Sequence, residues 1–490
     1  MSVGIHAYGG YVPKTRLQRA AMAAANAWFN PALKGLGKGE RSIANWDEDS
    51  VTMAVEAARD CLSGGDEALT GIYMASTSLP FQDRQNAGIV SEALSLDRSL
   101  QTMDISGSQR AGTTALATAL QVAAGGGRIL VAAAEKRRTK SASPLELTTG
   151  DAAAAFVVGA MENDNDGIAK LLGQATESTD FIDHYRGQDE AYDYVWEERW
   201  IRDEGYLKII PAATEAALAA AGIKAGAVNH FCFPAAAGRV GGMLAKKLGI
   251  PAESVRDNLQ GTLGEAGSAH PLIMLAHALE EAKAGEIILV TGFGQGCDAL
   301  VFQVTEAIKD AKPQHGISGY MARRHADDNY SRFLAINDLV TIEQGLRSEV
   351  DKQTGLTTLY RNKEMVLGMI GGECSECGTL QFPKSNVCVN PNCSATNSQK
   401  DHPFAGKIGK LNSYTADRLT YSMDPPALYG MIQFDEGGRG MLDFTDVEPG
   451  RDLQVGEPMR MMFRIKDYDT KRGFRRYFWK ATPVNPLEGE

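Results

Sequence analysis

The stretch Gly285-Glu-Ile-Ile-Leu-Val-Thr-Gly-Phe-Gly294 is followed at once by a second apolar segment, Asp298-Ala-Leu-Val-Phe-Gln-Val304. An earlier pair has the same pattern, with Gly127-Arg-Ile-Leu-Val-Ala-Ala-Ala-Glu135 followed by Asp151-Ala-Ala-Ala-Ala-Phe-Val-Val158. Each pair predicts a strand, a turn and a second strand introduced by Asp. The repeat therefore predicts two related α/β halves with a site where they meet. Chance similarity between two Ala/Val-rich strand pairs is the alternative.

The first 305 residues alternate strand-like and helix-like segments. Gly71–Ala75 and Gln101–Ile105 read as short apolar strands. Val51–Leu62 and Gly112–Val122 carry apolar residues at spacings of three and four, as an amphipathic helix needs. This alternation predicts an α/β fold with a buried, largely parallel sheet.

The chain changes character after residue 305, where alanine becomes rarer and charge rises. Arg323–Arg332 reads as an exposed helix in a connector, and a cysteine cluster follows it. Ala427–Phe434 and Met459–Ile465 read as short strands separated by glycine-rich turns, which is typical of a small barrel. We predict five segments: residues 1–165 and 166–305 as two α/β halves, 306–366 as a helical connector, 367–402 as a zinc ribbon and 403–490 as a β-barrel domain.

Composition limits the class of protein. The 490 residues have 43% hydrophobic and 23% charged content with a net charge of −11, which argues against a nucleic-acid-binding surface over the whole protein. No run of about 18 apolar residues occurs, so we expect no membrane span. The first residues lack a basic segment followed by an apolar one, and the seven cysteines are an odd number. We therefore expect a cytoplasmic protein without a disulfide framework.

Four cysteines predict a metal site. Cys374 and Cys377 form one pair and Cys388 and Cys393 a second, ten residues further on. Four thiolates at this spacing can close a tetrahedral shell, and soft thiolates favour Zn²⁺. Gly378 directly after the second cysteine supplies the tight turn that such a pair needs. We predict a structural zinc ion, because four thiolates leave no open coordination position; iron or unbound redox cysteines are the alternatives.

Several motifs together identify a family. Tyr8-Gly-Gly-Tyr-Val-Pro13, Asp47-Glu-Asp-Ser-Val-Thr-Met-Ala54 and Gly292-Phe-Gly-Gln-Gly296 resemble 3-hydroxy-3-methylglutaryl-CoA synthase and the ketoacyl-synthase-III-type enzymes. These enzymes belong to the thiolase superfamily, and the resemblance implies a duplicated αβαβα fold over residues 1–305. Residues 315–490 resemble the zinc-ribbon plus OB-fold proteins that accompany acyl-CoA thiolases. The resemblance also implies a coenzyme A thioester as substrate and a homodimer formed along the strand Gln101–Ile105.

The catalytic residues of that family are not present at the matching positions. The family uses a Cys nucleophile at a helix N-terminus, together with a His, an Asn and, in the synthases, a Glu. Alignment on flanking glycines and prolines places Gln109 at the Cys, Cys232 at the His and Glu265 at the Asn. The Glu of the synthases falls near Ser76–Ser78, which has no carboxylate. An amide cannot carry an acyl group, so the resemblance leaves the backbone oxyanion hole, at Gln109 and Gly294, as the retained feature.

Three functions follow from this pattern. The first is an acyl-CoA lyase of the retro-aldol or retro-Claisen type, or a thiolase-like enzyme, that breaks or makes a C–C bond beside a thioester without a Cys nucleophile. Glu265 would then be the general base, with Cys232 as acid. The second is an acyltransferase or synthase of the hydroxymethylglutaryl-CoA synthase type that uses Cys232. The third is a non-catalytic acyl-CoA-binding scaffold.

The segment 451–480 raises a fourth possibility. It contains nine basic and four acidic residues, with aromatic residues such as Tyr468, Phe474 and Tyr477 between them. Basic and aromatic residues together suit single-stranded nucleic acid, and they also suit the phosphates and adenine of CoA. Because the whole chain is acidic, we favour a face for acyl-CoA or a protein partner and do not expect nucleic acid.

Overall fold

The computed structural model describes residues 2–64, 68–163, 165–235, 239–311, 313–343 and 353–484. These residues form two compact units. The first unit comprises residues 1–45, 49–88 and 98–333, and the second comprises residues 46–48, 89–97 and 334–490. Parts of the predicted connector 306–366, at residues 312 and 344–352, lie outside the described residues.

The strands of the first unit include those predicted at Gly71–Ala75 and Gln101–Ile105. In chain order they are β1 (Ser2–Tyr11), β2 (Thr15–Gln18), β3 (Glu40–Ser42), β4 (Gly71–Ala75), β5 (Gln101–Ile105), β6 (Arg128–Glu135), β7 (Ala152–Met161), β8 (Ala169–Ser178), β9 (His184–Tyr185), β10 (Tyr194–Val195), β11 (His230–Cys232), β12 (Ile287–Phe293), β13 (Gly296–Val304) and β14 (His325–Asp327).

The helices include the two predicted in the first 305 residues, whose ends differ from the prediction by one residue. They are α1 (Arg19–Asn26), α2 (Ser50–Cys61), α3 (Asn86–Ala93), α4 (Ala111–Ala123), α5 (Pro144–Thr148), α6 (Glu198–Trp200), α7 (Leu207–Ala221), α8 (Val240–Leu248), α9 (His270–Glu281), α10 (Gly316–Ala322), α11 (Tyr330–Ile336), α12 (Leu356–Arg361) and α13 (Lys363–Leu367). Asp49 and Thr52 start α2 with a reciprocal cap, in which each side chain accepts from the other's backbone N–H. In the part of the chain that the structure describes, no helix is long and apolar enough to cross a membrane.

A nine-stranded sheet forms the centre of the first unit. Its strand order is β11-β12-β13-β8-β1-β7-β6-β4-β5. The pairs β4–β5, β4–β6 and β11–β12 are parallel, and the other pairs are antiparallel. The expectation of a largely parallel sheet is therefore wrong, and the sheet is mixed. The connection from β12 to β13 contains only two residues, and so short a connection allows only antiparallel pairing.

The sheet confirms the duplication. The strands β4-β6-β7-β1 and β11-β12-β13-β8 follow the same succession of one parallel and two antiparallel pairs. The two halves join antiparallel at β1 and β8. Helices α4 and α9 contact each other and pack on strands of this sheet. In the first copy the connection between the strands is longer than a turn, because it contains α5.

The predicted helix at Arg323–Arg332 is only partly a helix. Residues His325–Asp327 form β14, which pairs in parallel with β2, and α11 begins at Tyr330. The charged pattern misled the prediction because several of these charges are partnered within the unit. Arg332, for example, pairs with Asp327 at 2.8 Å.

The second unit contains two small β structures. A three-stranded sheet, of order β16-β15-β17, consists of β15 (Ile370–Cys374), β16 (Leu380–Gln381) and β17 (Gln399–Pro403). A five-stranded antiparallel sheet, of order β20-β19-β18-β21-β22, consists of β18 (Gly409–Asp417), β19 (Ala427–Phe434), β20 (Arg439–Asp443), β21 (Pro458–Asp469) and β22 (Phe474–Pro483). A bridge between Phe444 and Ala481 joins its two ends, which confirms the predicted small barrel.

Buried ion pairs hold the tripeptide 46–48 within the second unit. Arg464 on β21 is fully buried and contacts Glu48 at 3.2 Å and Asp446 at 3.1 Å. Lys480 on β22 contacts Asp47 at 2.8 Å and lies over the ring of Trp46. Buried charges are tolerated only when paired, so these contacts fix the position of the tripeptide.

The basic segment 451–480 is largely neutralised in place. Six of its nine basic residues contact a carboxylate, either in the barrel or in the tripeptide 46–48. The pairs are Arg451–Glu457, Arg464–Glu48, Lys466–Asp443, Arg472–Asp469, Arg476–Asp467 and Lys480–Asp47. The charge count of the segment thus overstated the positive field that it offers to an anionic ligand.

The buried network predicts a large stability effect at Arg464. Arg464→Met leaves Glu48 and Asp446 without their cation, and breaking a buried pair in this way costs about 3–5 kcal/mol. We expect the unfolding transition of the second unit, followed by chemical denaturation, to shift accordingly. Lys466→Met is the matched control, because its pair with Asp443 is partly exposed and such pairs contribute about 0–1 kcal/mol. Equal stability of the two variants would contradict this account.

Candidate active site and metal centre

Gln109 lies in the turn that connects β5 to α4. The turn is closed by a hydrogen bond from the Ala111 N–H to the Ser108 carbonyl at 3.0 Å. Among the residues that the structure describes, no acceptor is found for the backbone N–H of Gln109. The N-terminus of a helix also carries a partial positive charge. This turn can therefore stabilise a negative oxygen.

Gly294, between β12 and β13, lies against that turn. A Cβ on Gly294 would come within 2.9 Å of the Gln109 nitrogen and 2.6 Å of the Ser108 hydroxyl, so only glycine fits. The Gly294 carbonyl accepts from the Ser108 hydroxyl at 2.7 Å and from Arg110 Nε at 3.0 Å. The predicted approach of Gly294 to Gln109 is present. The N–H of Gly294, however, donates to the Gly296 carbonyl at 3.0 Å.

Arg137 brings Gln109 and Glu265 together. It follows β6 and its side chain is 3% exposed. Nη1 donates to Glu265 Oε2 at 2.9 Å, and Nε donates to Asp193 Oδ2 at 2.9 Å. With its amide oxygen facing the guanidinium, Gln109 accepts from Nη1 at 2.8 Å and from Nη2 at 3.0 Å. Two of the three predicted catalytic residues thus share one cation.

The charges around Arg137 balance each other. Burial works against the charged guanidinium, but Glu265 and Asp193 outweigh it and raise the pKa of Arg137. Burial likewise works against the Asp193 carboxylate, and Arg137 and Arg186 outweigh it, so the pKa of Asp193 is lowered. Arg137 and Asp193 therefore keep their charges at neutral pH.

The hairpin of β9 and β10 contributes further polar groups to this cluster. His184 Nδ1 lies 2.9 Å from Asp183 Oδ2, and His184 Nε2 lies 3.0 Å from the Gln109 amide oxygen. Arg186 donates from Nη1 to Asp193 Oδ1 at 2.8 Å. The hairpin that carries these residues lies directly at the Gln109 turn.

Cys232 is not part of the cluster around Arg137. It is fully buried at the end of β11, and its thiol donates to the Met274 carbonyl on α9 at 3.6 Å. Burial raises the pKa of this thiol to about 12. A thiol in these surroundings is a poor nucleophile and a poor acid at neutral pH. Of the three predicted residues, Cys232 is the one that the structure does not join to the Arg137 cluster.

The two histidines close to these segments have structural partners. His230 pairs with Glu286 at 2.8 Å. His270 is fully buried at the start of α9, where Nδ1 accepts from the Ala266 N–H at 2.9 Å and Nε2 contacts the Asn258 carbonyl at 2.8 Å. Burial lowers the pKa of His270. The His230 side chain is therefore engaged with a carboxylate, and the His270 side chain with two backbone groups.

Aromatic side chains lie beside the polar cluster. Phe293 directly precedes Gly294, and its ring centroid is 4.8 Å from that of Tyr206 and 6.1 Å from that of Phe181. Tyr206 also contacts Phe233, and Phe181 stacks on Trp200. Tyr206 ends a π-helical turn, a feature that is frequent at functional sites. Burial, with Asp183 and Glu265 nearby, raises the pKa of Tyr206, so its phenol stays protonated.

The four predicted metal ligands come together in the second unit. The sulfur atoms of Cys374, Cys377, Cys388 and Cys393 all lie within 4.8 Å of one another. Cys374 and Cys393 are 3.9 Å apart, and Cys377 and Cys388 are 3.6 Å apart. A tetrahedral ion with bonds of about 2.3 Å to sulfur would place its ligands about 3.8 Å apart. The donor set therefore fits a tetrahedral metal ion.

The first cysteine pair has the turn that the sequence predicts. Gly378 has a φ of +69°, a conformation that favours glycine, and its N–H donates to the Cys374 carbonyl at 2.8 Å. The hydroxyl of Ser398 lies 3.2 Å from Cys374 Sγ, and that of Thr379 lies 3.2 Å from Cys377 Sγ. These hydroxyls can donate to thiolates and steady the shell.

Arg137, Asp193 and His184 were not among the predicted site residues. Arg137 follows a predicted apolar strand by two residues, at the end of a strand where functional groups of α/β proteins are common. Asp193 and His184 lie in an irregular segment rich in charged and aromatic residues. The position of Arg137 after β6 was the available signal. Asp193 and His184 belong to no motif or residue spacing that would have indicated a functional role.

Two known protein families match segments of the chain. The family of the 3-oxoacyl-[acyl-carrier-protein (ACP)] synthase III C terminal matches residues 218–304. The family of the ChsH2 C-terminal OB-fold domain matches residues 402–464. The second match confirms the expected OB fold in the barrel, and the cysteine cluster that precedes it is compatible with a zinc ribbon.

Solved structures confirm the thiolase-like fold. A hydroxymethylglutaryl-CoA synthase complexed with CoA has a TM-score of 0.59 at 20% identity, covering 72% of this chain and 96% of that one. The 3-oxoacyl-(acyl carrier protein) synthase III of Pseudomonas aeruginosa has a TM-score of 0.55 at 22% identity, covering 62% of this chain and 98% of that one.

Curated relatives define the family. The hydroxymethylglutaryl-CoA synthase of Aeropyrum pernix is 29% identical over 351 residues, which cover 70% of this chain and 96% of the relative. That of Methanocella arvoryzae is 31% identical over 314 residues, covering 62% of this chain and 88% of the relative. The chain carries, in addition, the cysteine cluster and the OB-fold domain. It therefore belongs to the hydroxymethylglutaryl-CoA synthase family of the thiolase superfamily.

Proposed function

We propose that this protein makes a C–C bond next to a coenzyme A thioester, as a condensing enzyme of the hydroxymethylglutaryl-CoA synthase type. The observation that carries the proposal is the site formed by the Gln109 turn and Glu265 around Arg137. The sequence alone left the direction of the reaction open, and the relatives are synthases, which favours condensation. The same groups would serve cleavage in the reverse direction.

The chemistry requires an enolate. Removal of a proton from the carbon beside the thioester gives an enolate, whose oxygen carries the negative charge. The backbone N–H of Gln109 would hold that oxygen, and Glu265, 14% exposed, would take the proton. The enolate carbon then attacks the carbonyl of the second substrate, and the resulting alkoxide takes the proton back from Glu265. No covalent bond to the protein is needed.

A covalent route through Cys232 is the competing mechanism. It would follow the acyl-enzyme chemistry that the resemblance implies for this family. The thiol of Cys232 is buried against Met274, so an acyl group cannot easily reach it. Burial also raises the pKa of this thiol, so little of the nucleophilic thiolate forms at neutral pH. Direct condensation through the enolate avoids both obstacles. We therefore favour the site at Gln109 for the synthase-type reaction.

The metal would have a structural role. The sulfur distances and the thiolate donors support Zn²⁺ at Cys374, Cys377, Cys388 and Cys393. A zinc ion bound there would cross-link β15 to the loop before β17. Four protein ligands leave no position for a substrate, so the ion would hold the ribbon together and take no part in the reaction.

A homodimer would form along β5. This strand lies at the end of the nine-stranded sheet and pairs on one side only among the described residues, with β4. Gln101 is exposed and the other four residues of β5 are half-buried, whereas every residue of β4 is buried. An unpaired edge of this kind is a template for pairing with another strand. A second copy of the chain provides the matching edge.

Exchange of the acyl α-protons with D₂O tests the reaction directly, because it needs only one acyl-CoA. We expect the protein to exchange the α-protons of acetyl-CoA or phenylacetyl-CoA. Glu265→Gln removes the base and should slow the exchange by about 10²–10⁴-fold. Gln109→Ala should keep measurable exchange, because the backbone N–H remains.

Cys232→Ala is the control in the same assay, and we expect it to retain wild-type exchange. A stable thioester on Cys232, seen in the intact-protein mass after incubation with acyl-CoA, would overturn the non-covalent route. An unchanged rate in Glu265→Gln would remove Glu265 from the mechanism. Tight binding of acyl-CoA without any exchange would instead support the non-catalytic scaffold.

Metal analysis tests the ribbon. We expect one zinc per chain, and we expect a strong chelator to unfold the ribbon at residues 370–403, because metal binding supplies the folding energy of such small domains. Cys393→Ser should lose the metal. Cys61→Ala, a change at a buried cysteine of the first unit, should keep it. A clearly substoichiometric zinc content in fresh protein would contradict the assignment.

Sedimentation equilibrium tests the dimer. We expect a particle with twice the chain mass of 52.6 kDa at micromolar concentration. The physical reason is that β5 pairs with one strand only among the described residues, so its other edge can accept a strand of a second copy. A species that stays at 52.6 kDa over this range would exclude the dimer.

A further inference from the structure

The proposed oxyanion hole has lost one of its two expected donors. The Gln109 N–H is available, but the N–H of Gly294 donates to the Gly296 carbonyl at 3.0 Å. A single donor stabilises an enolate oxygen less than two do, and each donor is typically worth 10²–10³-fold in rate, or about 3 kcal/mol. A second hydrogen-bond donor at this turn would recover the lost stabilisation of the enolate oxygen.

His184 offers such a donor. Its Nε2 lies 3.0 Å from the amide oxygen of Gln109, so its N–H points at the residue whose backbone N–H forms the hole. The acceptor is an uncharged carbonyl oxygen, the same chemical type as the oxygen of a thioester. When an enolate forms, its charged oxygen is the stronger acceptor and competes for this N–H.

Asp183 holds the imidazole in the required orientation. Asp183 Oδ2 lies 2.9 Å from His184 Nδ1, and the Gln109 amide oxygen lies 3.0 Å from Nε2. Because both neighbours are acceptors, each ring nitrogen carries a proton and the imidazole donates from both. The other carboxylate oxygen is buried and has no hydrogen-bond partner among the described residues. The backbone carbonyl of Asp183 accepts from the Trp196 N–H at 2.9 Å, which anchors the residue in the hairpin. A buried carboxylate needs a partner, so Asp183 keeps the imidazole in place.

We propose that His184 donates a hydrogen bond from Nε2 to the enolate oxygen of the bound acyl thioester, with Asp183 as its positioning residue. This role rests on the proposed function and extends it. Both N–H protons stay on His184 throughout, one toward Asp183 and one toward the enolate oxygen, so the step needs no further reactant. Arg137 stays with Glu265 and Asp193, and its two carboxylate partners leave it little net charge for the substrate.

The test uses the same exchange of α-protons in D₂O, with acetyl-CoA, hexanoyl-CoA and phenylacetyl-CoA as probes. His184→Leu removes the donor, and we expect the maximal exchange rate to fall about 10²–10³-fold with little change in KM, because the enolate exists only beyond the ground state. His184→Gln keeps an N–H and should recover part of the rate. Asp183→Asn should lower the rate and leave KM unchanged.

His230→Leu is the matched control, since His230 also pairs with a carboxylate, Glu286, at 2.8 Å. We expect it to exchange at the wild-type rate. Wild-type exchange in folded His184→Leu would overturn the role of His184 and leave the proposed function standing. If His184→Leu does not fold, equal rates in His184→Gln, Asp183→Asn and the wild type would overturn it as well. A wild-type protein that exchanges none of the three probes would overturn the proposed function, and this role with it.

Discussion

A guanidinium that is almost completely removed from water has to be neutralised where it lies, and Arg137 imposes this requirement on the first unit. Glu265 comes from the loop before α9, Asp193 from the hairpin and Gln109 from the turn before α4. These segments are far apart in sequence, and each supplies one partner to the same cation. The positions of the polar groups in the site therefore follow from the need to pair one buried charge.

Features that depend on local sequence were predictable. The cysteine pairs fold as turns of a few residues, so their spacing alone indicated the cluster at Cys374–Cys393. Apolar runs and apolar periodicity predicted several strands and the helices α2 and α4, and the repeat predicted two related halves. His184 and Asp193 could not be predicted in the same way, because an irregular hairpin brings them to Gln109 and no periodicity marks them.

The direction of the Cys232 thiol follows from the alternation of side chains along a strand. Successive side chains of a strand point to opposite faces, and Phe231 and Phe233 pack together in one hydrophobic cluster. Cys232 therefore faces the other side, where it meets the carbonyl of Met274 on α9. The apolar neighbours that made the segment recognisable also determine which way its thiol points. A position in an alignment carries no such information about the face of the strand.

The buried pair of Asp47 and Lys480 has a consequence for how the chain folds. The two residues are 433 positions apart, so synthesis at about 5–20 residues per second separates their appearance by roughly 20 to 90 seconds. During that interval the acidic tripeptide has no cation from the barrel, and contacts of such long range form slowly. Because the barrel is part of the same polypeptide, every tripeptide 46–48 has a barrel to pair with. Its carboxylates nevertheless stay unpaired with the barrel until the C-terminal strands have been synthesised.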